Sequence, residues 1–384
     1  FHPQAGIPDF CLSRGLGDVY KRQVTDSTPI IRRLEKEFEG RSVIPEDPAL
    51  CFLNYLLEDF GDEWVTKYMF HYRWHFDEDA DNASSILPLN HKVDLKEDLW
   101  KIFKEGIGSR QIERLWVVGS NDITAPIIES SYKRFLGIME NHLSSLPFLF
   151  GQRPSSADFA VYGQLTQLIG LDPTSRKIAH EESLRTVAWI NSMEDLSGIN
   201  LEKNSWETFD SLPESMLSLL KEIGHVYVPA LLANNEALKN GNETWETEID
   251  GSVWSQKTFN YQGKCLQWIN QEFYSLTEID QKRLEMDEIL NKDKKKPLSG
   301  FANGAAFSEQ YVPGKPSDVT YGDEDGGITN IDESDPNFTI LKPHLVVLTN
   351  LDAEHLENYQ NSFFNLKNSI QKFINSSSDF FIRH

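Results

Sequence analysis

The chain has 384 residues and a formal charge of −22, from 59 acidic against 37 basic side chains. Hydrophobic residues make up 39% and aromatic ones 11%, enough for the cores of two or three domains, which excludes a chain disordered throughout. So acidic a surface repels phosphate backbones and anionic lipid, which argues against nucleic acid and membrane as partners.

Cys11, Cys51 and Cys265 are far apart and form no CxxC or pairing pattern. The expected setting is reducing, the cytoplasm, with no disulfide framework. No apolar run approaches the ~20 residues of a membrane span.

In chain order, residues 1–23 ("FHPQAGIPDFCLSRGLGDVYKRQ") show neither helical nor strand period, and they lack an initiator Met and a signal-peptide core. "GDVYKRQ" resembles translated adapter sequence in assembled environmental DNA, so this segment is expected to be a non-native or disordered tail. "TDSTPIIRRLE" reads as a helix start, with Ser27 or Thr28 as the N-cap and Pro29 in the first turn. Asp47 and Pro48 open the next helix. Its apolar face is Leu53, Leu56, Leu57, Phe60, Trp64, Tyr68 and Tyr72, at spacings of three and four. "HYRWHFDEDAD" follows, with His71 and His75 four apart. Two imidazoles can share a metal only with further ordered ligands, so the acidic run is read as the solvated loop that ends the helix.

Further helices are expected at "APIIESSYKRFLGIMENHL", "SADFAVYGQLTQLIG", "SLRTVAWINSMEDL" and "SMLSLLKEIGHVYVPALLANNEAL". In "RPSSADFAVYGQL", Ser155 stands three residues before Asp158, a capping box with a structural role. The period then changes: "TWETEIDGSVWSQKTF" alternates on both sides of Asp250–Gly251, which predicts a β-hairpin on a two-residue turn. Helices at "YQGKCLQWINQEFY" and "LTEIDQKRLEMDEIL" follow, with Cys265 read as a buried thiol near Trp268. After the charged junction "NKDKKKPLSG", residues 299–337 are rich in Gly, Asp and Ser. A buried strand at "HLVVLTNL" and a helix at "SFFNLKNSIQKFIN" are expected beyond them.

"TDSTPIIRRLE" and "PSSADFAVYGQL", in this order and with an aromatic-rich helix between them, resemble the glutathione S-transferase family. "EDFGDEWVTKYMFHYRW", "RLWVVGSN" and "GHVYVPALLANNEAL" resemble a larger bacterial branch of it. The resemblance covers about residues 24–292. It implies a mainly α fold: an all-helical C-terminal domain with a remnant of a thioredoxin-like domain. It also implies that Asp26 and Ser27 hold the γ-glutamyl end of glutathione, and that Tyr68, Tyr72 and Trp74 line an acceptor pocket. Read from the residues alone, that aromatic stripe is core. The family's thiol-activating Tyr, Ser or Cys and its cis-proline have no counterpart here. The resemblance therefore implies glutathione transfer to an electrophile as parent chemistry, weak or absent in a truncated chain, with a homodimer open as the assembly. A non-catalytic binding or dimerisation scaffold is the alternative.

"NIDESDPNFTILKPHLVVLTNLDAEHLENY" resembles the central ATP-binding domain of the Mur ligases, of the muramate–alanine type. Asp332, Glu333, Ser334 and Asp335, then Thr349, Asn350 and His355, match its pattern. The resemblance implies His355 as a Mg²⁺ ligand beside ATP and, as a second alternative function, a fragment of an ATP-dependent amide ligase. Asn330 replaces the glutamate ligand, and no GxxxxGK[ST] loop occurs in the sequence, so Mg²⁺ and ATP are expected only for a complete domain. The expected division is a tail at 1–23, the thioredoxin-like remnant at 24–45 and the helical domain at 46–235. A hairpin-plus-helix extension at 236–292, an irregular linker at 293–327 and a small α/β fragment at 328–384 follow.

Overall fold

The computed structural model describes residues 26–199 and 205–286, with the backbone of four short strands at 319–322, 328–331, 345–348 and 379–382. The tail at 1–23, the helix expected at "SFFNLKNSIQKFIN" and the side chain of His355 lie outside the described residues.

The described chain is mainly helical. In chain order come α1 (Ser27–Glu37), α2 (Pro48–Phe60), α3 (Thr66–His75), α4 (Asp77–His91), α5 (Glu97–Glu113), α6 (Ala125–His142) and α7 (Ser156–Gly170). Then follow α8 (Pro173–Glu182), α9 (Leu184–Met193), α10 (Glu214–Glu222), α11 (Val228–Lys239), a hairpin of β1 (Thr244–Ile249) and β2 (Ser252–Lys257), α12 (Asn260–Ser275) and α13 (Glu278–Met286).

Asp47 caps α2, its carboxylate accepting from the backbone N–H of Ala49 at 2.9 Å and of Leu50 at 3.2 Å. The helix then continues through a π-turn, Gly61–Val65, into α3. The spacing explains that turn. Phe60, Trp64, Tyr68 and Tyr72 recur every four residues, and in a pure α-helix such steps drift about 40° each around the axis. A wider turn offsets the drift, and all four side chains have no solvent exposure. Gly61 lets the turn press on α7: a Cβ there would lie 3.1 Å from Ala160 Cβ and from Val161 N.

The acidic run after His75 is not a solvated loop, which corrects the sequence expectation. It opens α4, where first-turn carboxylates complement the helix dipole. Asp79 is fully buried and holds the head of α8, accepting from Thr174 N at 2.9 Å and Thr174 Oγ1 at 2.5 Å. Beside it Arg73 makes a two-pronged ion pair with Asp172, at 2.8 and 3.0 Å.

A second correction concerns Glu214–Lys239, where α10 runs through a π-turn at Ile223–Tyr227 into α11. By length and composition this helix is apolar enough to cross a bilayer, and 61% of its most apolar window is buried inside the fold. Its apolarity is accounted for by the core around it, since a helix hydrophobic on most sides is a buried one.

The hairpin forms as its sequence dictates. Asp250 and Gly251 take φ of +54° and +75°, and Ile249 pairs with Ser252 across the turn, the geometry of a type I′ connection. Trp245, Ile249 and Trp254 join one continuous hydrophobic core with α2, α3, α6, α7, α11, Leu266 and Phe273. The stretch expected as a separate extension therefore shares the core of the helical domain.

The four remaining strands belong to a separate unit. They are β3 (Val319–Gly322), β4 (Ile328–Ile331), β5 (Leu345–Leu348) and β6 (Asp379–Ile382), in the order β4-β3-β5-β6. β3 runs antiparallel to both β4 and β5, and β5 pairs in parallel with β6. β5 falls where "HLVVLTNL" predicted a strand, whereas β3 lies in the segment expected to be irregular.

Candidate functional site

The start of α1 meets the middle of α2 and the head of α7 at an acidic junction. Asp26, rather than Ser27 or Thr28, caps α1: its side chain accepts from Thr28 N at 3.2 Å, and its backbone sits at φ +75°. That conformation is costly for any residue with a Cβ. Freed from capping, Thr28 donates through Oγ1 to Glu58 Oε1 at 2.6 Å. Ser156 donates to Glu58 Oε2 at 2.6 Å, and Asn54 Nδ2 donates to Ser156 Oγ at 2.7 Å. Glu58 thus joins three helices through two short, charge-assisted bonds.

The backbone donors at the head of α7 have partners within the chain. Ser156 N donates to Val43 O at 2.9 Å, Ala157 N to Asn54 Oδ1 at 3.1 Å and Asp158 N to Ser155 Oγ at 3.4 Å. Asp158 completes the capping box by accepting from Ser155 N at 2.8 Å, and it also accepts from Leu149 N at 2.9 Å. Desolvation pushes the Asp158 carboxyl up to about 6, against the pull of those hydrogen bonds.

Around Asp26 the carboxyl groups crowd. Desolvation raises Glu58, Asp62 and Glu63 above the usual carboxylate range, and neighbouring carboxylates add to it. Asp59 is pushed up to about 7 by desolvation, despite accepting from Tyr227 OH at 2.5 Å. Asp26 is raised by desolvation as well, and Tyr261 OH donates to it at 3.4 Å. The Cys265 thiol is driven well up, first by burial and then by Glu63, Asp59 and Asp26. A junction of this kind retains protons, attracts cations and disfavours a thiolate. The stretch "LLEDFGDEW" carried the signal: Glu58, Asp59, Asp62 and Glu63 interrupt a helix whose other residues are nearly all apolar.

The other sequence-predicted residues lie elsewhere. Tyr68 and Tyr72 are unexposed in the main core. Tyr68 OH shares a 2.6 Å hydrogen bond with Ser131 Oγ and accepts from Trp64 Nε1 at 3.0 Å. Trp74 packs in a smaller cluster with Phe70, Ala80, Ala83, Ile107 and Val118. An open groove of about 550 Å³ between α4 and α8 includes none of these three aromatics; Ile86, Pro173, Arg176, Lys177 and His180 are among the residues lining it. His71 Nδ1 is 2.8 Å from Ser120 Oγ and its ring stacks on His75. Among the described residues no cluster of His, Cys, Asp and Glu could hold a metal. Asn330 lies in β4, described by its backbone only.

Residues 112–194, from the end of α5 past α9, match the family described as the glutathione S-transferase C-terminal domain. UDP-N-acetylmuramate–L-alanine ligases match a short stretch. That of Baumannia cicadellinicola is 49% identical over 47 residues, 12% of this chain and 10% of the ligase. That of Buchnera aphidicola (subsp. Baizongia pistaciae) is 47% identical over 49 residues, 13% and 10% of the two chains. The Xylella fastidiosa (strain M12) ligase is 45% identical over 47 residues, 12% and 10%. The chain spans about a tenth of the length of these curated relatives. No solved structure gives a significant match. With its capping box at the head of α7, the helical unit is similar over residues 112–194 to the glutathione S-transferase C-terminal domain.

Proposed function

We propose that the helical unit binds glutathione by its γ-glutamyl end at the acidic junction, with Asp26 and Ser27 as contacts, and that thiol transfer to an electrophile is the parent chemistry, weak in this chain. The observation that carries this reading is the tie from α1 through Thr28 and Glu58 to Ser156, which sets Asp26 beside a glutathione S-transferase C-terminal domain. Thr28 N is already bonded to Asp26, so the junction suits the ammonium of the γ-glutamyl group better than its carboxylate. An arriving ammonium would favour the ionised carboxylates that burial disfavours.

The same field supports weak turnover. The active nucleophile is the thiolate, and carboxylates near a thiol disfavour it, as Glu63, Asp59 and Asp26 add to the upward push that burial gives the Cys265 thiol. A reducing, cytoplasmic setting would keep glutathione in its thiol form. The stretch similar to muramate ligases adds no activity to the proposal, because it corresponds to about a tenth of those enzymes.

Titration calorimetry with millimolar glutathione tests the binding. Heat that disappears in Asp26→Ala and with N-acetylated glutathione, which has no ammonium, is the expected result. Absence of heat with the unmodified chain would favour a non-catalytic scaffold, and equal binding of the acetylated peptide would remove the ammonium argument. Ordinary turnover of a chlorodinitrobenzene acceptor would overturn the weak-catalysis part alone.

A further inference from the structure

In a chain of net charge −22, the groove between α4 and α8 carries the opposite sign. Its volume of about 550 Å³ is that of a small-molecule site. Arg176, Lys177 and His180 of α8 line it, all three exposed, and no Asp or Glu does. His180 stands four residues after Arg176 and three after Lys177, so each cation has the imidazole as its neighbour on the helix surface.

The carboxylates that adjoin the groove in sequence have other partners. Asp79 accepts from Thr174, Arg73 donates to both oxygens of Asp172, and Asp81 pairs with Lys104 at 2.6 Å. Among the described residues no ion pair or hydrogen bond reaches the side chains of Arg176, Lys177 and His180, from Glu181 and Glu182 beside them or from elsewhere. Arg176 and Lys177 also stand at the end of the first turn of α8, where the helix dipole disfavours a cation. The fold keeps two cations there and gives neither a partner.

The rest of the groove suits a carbon body. Ile86, Leu171 and Pro173 supply half-buried apolar surface. Asn82 donates through Nδ2 to Leu171 O at 2.9 Å, which fixes the amide. No Phe, Tyr or Trp lines the groove, which disfavours a stacked nucleobase.

We propose that this groove binds a small phosphate monoester, with Arg176 and Lys177 on the dianion, His180 as a further donor, and Ile86, Leu171 and Pro173 against an apolar carbon body. A guanidinium grips two phosphate oxygens at once and an ammonium adds a point charge. That pair matches a dianion better than a single carboxylate. The ligand is a soluble one, because a chain of net charge −22 is repelled by anionic lipid. The groove lies at the tail of α7 and the acidic junction at its head, about 20 Å away along a helix of 15 residues. The proposal is therefore independent of the glutathione reading.

Titration calorimetry of the full chain with phenyl phosphate, at low salt and without glutathione, tests it. Binding with a Kd below about 1 mM is expected. Arg176→Ser and Lys177→Ser should each weaken it about tenfold with helical circular dichroism retained. Lys101→Ser, at an exposed lysine paired with Glu97, should leave it unchanged. Inorganic phosphate should bind about tenfold less tightly than phenyl phosphate, and Ile86→Ser should remove that margin. Absence of heat with phenyl phosphate would overturn the proposal, as would binding that survives Arg176→Ser combined with Lys177→Ser. Sedimentation of the chain with phosphatidic acid vesicles, lost in that double variant, would overturn the soluble ligand and assign the same phosphate chemistry to a lipid headgroup.

Discussion

Gly61 shows how much one missing Cβ decides. The π-turn can lie against Ala160 and Val161 only because nothing projects there. Gly61→Ala is expected to destabilise the protein by about 1–3 kcal/mol through overpacking, measured as a lower urea midpoint with an unchanged slope. Asp158 is a second such residue. Its carboxylate satisfies the backbone N–H groups of Ser155 and Leu149, both buried. Asp158→Ala should cost about 2–4 kcal/mol, the lost cap plus an orphaned buried donor. The capping pair and the Asp47 cap were legible in the sequence because a cap is a local contract between residues two or three apart. Asp26 was harder: its role depends on which of three adjacent polar side chains has a partner across the fold, and Glu58 claims Thr28.

Among elements, the hairpin is the clearest case of local chemistry deciding structure. The turn needs positive φ at two successive residues, and Asp250–Gly251 supplies it. Asp250 has a second task, since its carboxylate accepts from Arg134 Nη1 at 2.8 Å and from Ser130 Oγ at 3.1 Å, and it pairs with His225 Nε2 at 2.9 Å. These contacts fasten the hairpin tip to α6 and to the π-turn before α11. Gly251→Ala should therefore cost about 1 kcal/mol, a backbone effect, and Asp250→Ala about 2 kcal/mol, because the turn and its anchorage are both lost. Thermal melts of the two variants separate the cases. Helices α4, α5 and α8 were not expected as elements. α5 leaves apolar residues in water, and α8 is short and held at its head by Asp79 from another helix, so neither shows a full amphipathic period of its own.

For the whole molecule, the buried carboxyl groups predict an unusual pH dependence. Asp59, with a carboxyl at about 7 instead of 3.8, keeps in the folded chain a proton that the unfolded chain releases near pH 4. Such a group contributes stability that is full below pH 4 and lost as pH rises to about 7. Asp26, Glu58, Asp62, Glu63 and Asp158 shift in the same direction. His71 and His142 act oppositely: burial lowers both, so their contribution is present above pH 6.5 and declines below it. Lys67, lowered by burial to about 8, also opposes the carboxyl groups as pH falls through 8, but between pH 8 and 6.5 those more numerous groups prevail. The melting temperature should rise on going from pH 8 to 6.5, and Asp59→Asn should flatten that rise.

The sequence by itself determined the helical class, the caps at Asp47 and Ser155, the hairpin turn and the buried aromatic face. Each follows from contacts between near neighbours or from a period along one element. Tertiary structure decided the rest. The apolar face of α2 and α3 could read as pocket or core until helices α6, α7 and α11 closed over it. The carboxyl groups of Asp26, Glu58, Asp59 and Glu63 became a buried junction because α1, α7 and α12 met α2 there. Periodicity says which side of a helix is apolar, but what covers that side is fixed only when distant segments pack together, and burial then sets the charge of Asp59 and the packing of Tyr68.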